Sequence, residues 1–149
     1  MITNINFFRF LALAFVLFHI TGCSKEDKTQ PVDFMKFSIA GACSGSVLKS
    51  SAEKEKTIVI TTQEMLSKET GCLTSAPQVD FNTHFVLAGR VAFDNCAALE
   101  EETMVEADNI IRYSVKIRQS DCQKLDTVYF MAAVPIRYKD RQITFDIKK

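Results

Sequence analysis

The residues able to do chemistry in this chain are its five cysteines and two histidines. A thiolate can attack, bind a metal or oxidise to a disulfide, and a neutral imidazole can take a proton near pH 7. Cys43, Cys72, Cys96 and Cys122 are widely scattered, while Cys23 stands alone behind an apolar run. No two cysteines have the close C-x2–4-C spacing of a zinc site, so four-cysteine coordination lacks its pattern. Two disulfides in an oxidising compartment suit the four better, with three connectivities open. His84 is the one histidine outside the apolar run. As a general base it needs a nucleophile and an orienting partner supplied by the fold. No G-x-S-x-G elbow, H-E-x-x-H pair, phosphate-binding glycine loop or EF-hand acid ladder is present. Asp80 reads as a turn residue. The expectation is a chain without catalytic residues, metal or cofactor, with a hydrolase using His84 as the alternative.

The segment between Cys96 and Cys122 carries the clearest periodicity. Ile111, Tyr113, Val115 and Ile117 alternate with Arg112, Ser114, Lys116 and Arg118, the signature of a half-buried strand. Folding the chain back about Asn109 sets Glu100 opposite Arg118, Glu102 opposite Lys116 and Glu106 opposite Arg112. Val105 then meets Tyr113 and Ala107 meets Ile111 on the other face. Each such cross-strand pair is worth about 0.2–1 kcal/mol. The same register brings Cys96 opposite Cys122 and predicts their disulfide, leaving Cys43 to pair with Cys72. A loop of Asp108, Asn109 and Ile110 would place an isoleucine in a left-handed conformation, so a longer loop in the same register is expected.

Around this hairpin the chain reads as a string of strands. Phe34 to Ala40, Thr57 to Ile60, Phe85 to Phe93, Val128 to Val134 and Gln142 to Ile147 have strand character. Residues 41–51 are rich in Gly and Ser and read as a loop. Thr61 and Glu64 form a capping box that opens a short helix, near residues 62–70, closed by Gly71. The fold class expected is α+β, mainly an antiparallel sheet of sandwich or roll type, in a single domain over residues 33–149. Arg137, Tyr138, Lys139 and Arg141 form a basic-aromatic cluster that could serve as a partner-binding edge.

The start of the chain says where the protein resides. Arg9 precedes the apolar run Phe10 to Phe18, and Ile20-Thr21-Gly22-Cys23 is followed by the charged stretch Ser24-Lys25-Glu26-Asp27-Lys28. Between Arg9 and His19 lies about half of the roughly 20 apolar residues that span a bilayer. The run Ile20 to Cys23 resembles the lipobox of bacterial lipoproteins. That resemblance implies a signal peptide over residues 1–22, cleavage after Gly22, and thioether lipidation of Cys23 at the bacterial outer membrane. Two or more acyl chains, at roughly 0.8 kcal/mol per buried methylene, make an ample anchor. Residues 23–32 then form a lipid-anchored tether. The charged stretch is similar to the surface-export signals of Bacteroidetes lipoproteins, so both the periplasmic and the external face stay open. With 18 basic and 18 acidic residues the chain offers no electrostatic case for nucleic acid.

Val79-Asp80-Phe81, the strand from His84 to Val91, the central hairpin and the run Val128 to Pro135 together resemble the PrcB-type C-terminal domain, named for a subunit of a secreted protease complex. The likeness covers roughly residues 55–147, and Cys96-Ala97-Ala98-Leu99 stands where family members tend to carry Gly-Gly-Tyr. The resemblance implies a non-catalytic accessory or protein-binding domain and transfers no catalytic residue. A small-ligand or glycan-binding lipoprotein is the alternative, using Tyr129, Phe130 and Tyr138 in a chain without tryptophan.

Overall fold

A computed structural model describes residues 29–37, 53–71 and 78–149. The leader, Cys23, Cys43, Cys72 and the Gly/Ser-rich loop lie outside the described residues. Within them the chain forms β1 (Gln30–Pro31), β2 (Met35–Lys36), β3 (Glu55–Ile60), helix α1 (Gln63–Thr70), β4 (His84–Phe93), β5 (Cys96–Ala107), β6 (Ile110–Ser120), β7 (Asp126–Pro135), a 3-10 turn (Ile136–Tyr138) and β8 (Gln142–Lys148). Among the described residues the expected strand-rich α+β character, with one short helix, is what the molecule has. Phe34 to Ala40, expected as one strand, is strand only at Met35–Lys36 among its described residues.

Two four-stranded sheets result, ordered β1-β5-β6-β8 and β2-β7-β4-β3. All pairings are antiparallel except β6 with β8, which run parallel. The inward faces of both sheets contribute to one core, with Phe85, Leu87, Val91, Phe130 and Val134 from one side and Met104, Ile111, Tyr113 and Val115 from the other. A smaller core lies on the outer face of the second sheet, where Leu66 of α1 joins Ile60, Val86, Ala88, Met131 and Ala133. That arrangement explains why β4 and β7 are apolar on both faces while β6 alternates. The helix begins one residue later than the capping box predicts. Thr62 is the N-cap, its hydroxyl accepting from the Met65 amide at 3.1 Å, and Gly71 closes the last turn in the left-handed region at φ 63°.

The central hairpin forms, but in a different register. Asp108 (φ 49°) and Asn109 (φ 67°) are both left-handed, the signature of a two-residue type I′ turn, so Ala107 pairs with Ile110. This one-residue slip exchanges the faces of β5 relative to expectation. Tyr113 lies opposite Met104 rather than Val105, Glu102 opposite Val115 rather than Lys116, and Arg112 opposite Val105 rather than Glu106. A bulge between Leu99 and Glu101 shifts the register once more, so Ala98 faces Arg118 and Cys96 faces Ser120. The bulge allows Glu100 to reach Lys116 at 3.4 Å in place of Arg118, and Glu106 instead pairs with Arg141 at 3.0 Å. Cys96 and Cys122 are nevertheless disulfide-bonded, because Cys122 follows the end of β6 and the chain there bends back to its partner.

A candidate binding groove between two sheet edges

Strands β5 and β7 lie on the same side of the molecule, and both are only partly covered. Short β1 pairs with β5 at Val105 and Glu106, and short β2 pairs with β7 at Ala132 and Ala133. The segment from residue 29 to 37 thus crosses from one sheet to the other and leaves the rest of both edges without a strand partner among the described residues. Between them lies a groove of about 390 Å3, lined by Lys36, Phe37, Ala97, Ala98, Leu99, Glu102, Thr127, Val128 and Tyr129.

The backbone of β5 is guarded at two points along this edge. The Ala97 amide donates to Asp126 Oδ2 at 3.4 Å, and the Glu102 carbonyl accepts from Lys36 Nζ at 3.1 Å. Alternation along an antiparallel strand turns the Leu99 amide and carbonyl to the same open side. Neither makes a backbone bond outside the β5–β6 pairing among the described residues. Leu99 is 39% exposed at the rim and Leu125, in the nearby β6–β7 connection, is 77% exposed. The Cys96–Cys122 disulfide ties the start of β5 to that connection.

At the groove's inner side stands an acid. The register of β5 turns Glu102 inward, where only 8% of it is exposed, and its Oε1 accepts a hydrogen bond from the Tyr113 hydroxyl. Tyr113 is fully buried and meets the rings of Phe34, Phe130 and Phe145 edge-on or tilted, at 5.9–6.0 Å between centroids. Burial, and then the hydrogen bond and negative charge of Glu102, hold its phenol proton well above the usual tyrosine range. Sequence reasoning took Glu102 for a solvated partner of Lys116. The available signal was Tyr113, because a tyrosine in an apolar strand face needs a buried acceptor for its hydroxyl.

Tyr129 lies on the outer face of β7 opposite Arg90, and burial raises its proton affinity while the Arg90 charge opposes the shift. Tyr138 is roughly 20 Å further along the chain direction, since the rest of β7 intervenes. Of the two tyrosines expected to share a sugar platform, Tyr129 lines this groove and Tyr138 does not, and Phe130 is core. The basic-aromatic cluster is partly engaged within the molecule. Arg137 stacks over the Tyr138 ring at 4.8 Å and also donates to its hydroxyl at 3.2 Å. Arg141 donates to the Asn109 side chain and pairs with Glu106, clamping the hairpin tip, while Lys139 is exposed.

His84 opens β4 beside Thr83 and Asp80. The Thr83 hydroxyl lies 3.0 Å from Asp80 Oδ2 and 2.9 Å from His84 Nδ1. The Thr83 hydroxyl also donates to the Asp80 carbonyl at 3.1 Å, so the three residues close one turn at the start of β4. The Asp80 carboxylate also accepts from the Asn82 amide at 3.0 Å, and these bonds, the amide foremost, hold its pKa below the ordinary value. Among the described residues no three His, Cys, Asp or Glu side chains converge as metal ligands.

No family model matches the chain, and neither a curated protein nor a solved structure matches it.

Proposed function

We propose that this protein is a lipid-anchored accessory domain of the bacterial outer membrane that binds another envelope protein along the β5–β7 groove. The observation that carries the reading is the Leu99 edge. A backbone amide and carbonyl on one open side, beside an exposed apolar side chain and a concave surface, is what an extended partner segment needs to add to a sheet. We read the two sheets as a sandwich whose two edges on one side are left available. The lipobox-like run supplies the anchor at Cys23, and the PrcB-like order of strands supports a role beside an envelope protease without catalysis of its own.

Replacing Leu99 by Pro tests the groove. Proline removes the outward amide while leaving the inward ladder to β6 intact. Co-isolation of the bound envelope protein with the lipidated chain should be lost while the fold is kept. Retention of the same companion by the proline variant would remove the groove from the account. The anchor has its own test, since labelled palmitate should enter the wild-type chain and not a Cys23→Ser variant.

A further inference from the structure

We propose that the groove takes an extended polypeptide segment that presents a lysine or arginine to Glu102. This rests on the groove being a partner-binding edge and names the chemistry of what it selects. Glu102 is more than nine-tenths buried, and its Oε1 is occupied by Tyr113. Its Oε2 has no hydrogen-bond or ion-pair partner among the described residues. That oxygen is not one of the sealed, unpartnered side-chain atoms, so it opens on the groove, where a cationic donor can meet it.

The surrounding charges leave that place open. Lys36 is the one basic residue lining the groove, and its ammonium is bonded to the Glu102 backbone carbonyl rather than the carboxylate. Asp126 has both oxygens engaged, with the Ala97 and Thr127 amides. Glu100 is paired with Lys116. A strand added at Leu99 turns alternate side chains to the inner side, where Glu102 stands. The aliphatic stem of a lysine or arginine there would lie against Ala97 and Val128, placing its charged head at the acid.

The test uses the full-length protein in detergent and three fluorescent peptides, alternating valine with lysine, with serine or with glutamate, read by anisotropy. The lysine peptide should bind at least about tenfold more tightly than the serine peptide, with the glutamate peptide weakest. Glu102→Gln, which keeps an acceptor for Tyr113, should erase that preference. Glu101→Gln makes the same charge change on an exposed side chain and should retain it. Lys36→Met, which removes the competing positive charge, should tighten lysine-peptide binding. Equal binding of all three peptides, or equal effects of the two glutamine variants, overturns the selection of a basic residue but leaves the groove standing. Failure of every peptide to bind also overturns it, and so does saturation by spermine alone. The groove reading falls only if the Leu99→Pro variant keeps its partner as well.

Discussion

The Tyr113 hydroxyl donates to Glu102 at the boundary between the main core and the groove, joining the most buried ring of the first sheet to a carboxylate that β5 turns inward. Removing the hydroxyl leaves a buried carboxylate without its donor. Tyr113→Phe should therefore cost about 1.5–3 kcal/mol at neutral pH, measured by urea unfolding. The cost depends on pH in a defined sense. The folded phenol holds its proton above the reference value of 10.0, so the contribution of Tyr113 is complete below that pH. As pH rises further, the unfolded state ionises first, and the gap between wild type and Tyr113→Phe should close by up to about 1.4 kcal/mol per pH unit. A gap that stays constant above pH 10.0 contradicts the buried hydrogen bond.

The disulfide between Cys96 and Cys122 spans 26 residues. Chain-entropy arguments assign a loop of that size about 3.5 kcal/mol. The double variant Cys96→Ala/Cys122→Ala should lose close to that amount in a denaturant titration, and non-reducing peptide mapping of the wild type should recover the two cysteines in one linked fragment. Free thiols at both positions would refute the pairing.

Gly89 sits in β4 directly opposite Phe130. A Cβ there would lie 2.3 Å from Phe130 Cζ and 2.8 Å from the Lys56 carbonyl oxygen. The ring covers the glycine and fills the space a side chain would take. Gly89→Ala should destabilise the domain by about 2–3 kcal/mol. Adding Phe130→Leu should return part of that loss, because the flexible obstacle moves while the backbone one stays. A neutral Gly89→Ala would show that the ring does not close over this position.

Much of the scaffold was legible in the sequence for local reasons. Gly71 stops the helix because it alone adopts the left-handed cap cheaply, and β6 alternates because one face meets the core and the other meets water. β4 and β7 read as continuous apolar runs because each is covered on both faces. The register of the hairpin was not legible. Glu100, Glu102 and Glu106 matched Arg118, Lys116 and Arg112 so well that the charges outvoted the turn, although each pair is worth only a few tenths of a kcal/mol on an exposed face. Asp108-Asn109 was the stronger signal, since both residues tolerate the left-handed region that a two-residue hairpin demands. The same slip hid the inward turn of Glu102, and with it the acid at the groove. The cysteine pair was found despite the slip, because slack beyond the end of β6 absorbs the offset. The parallel pairing of β8 with β6 is a long-range choice that no local pattern announces.

The turn gives its own test. Asp108→Val places a β-branched side chain at φ 49° and should cost about 1–2 kcal/mol in thermal or urea unfolding. The same substitution would be nearly neutral in the longer loop that the charge pattern favoured.

A partner lying along the β5 edge is accessible to photo-crosslinking in intact cells. A photoreactive residue at Leu99 in the full-length chain should yield one discrete protein adduct, and the same residue at Lys139, in the exposed basic turn, should not. An adduct formed from Lys139 and absent from Leu99 would move the interface to the other end of β7 and contradict the account.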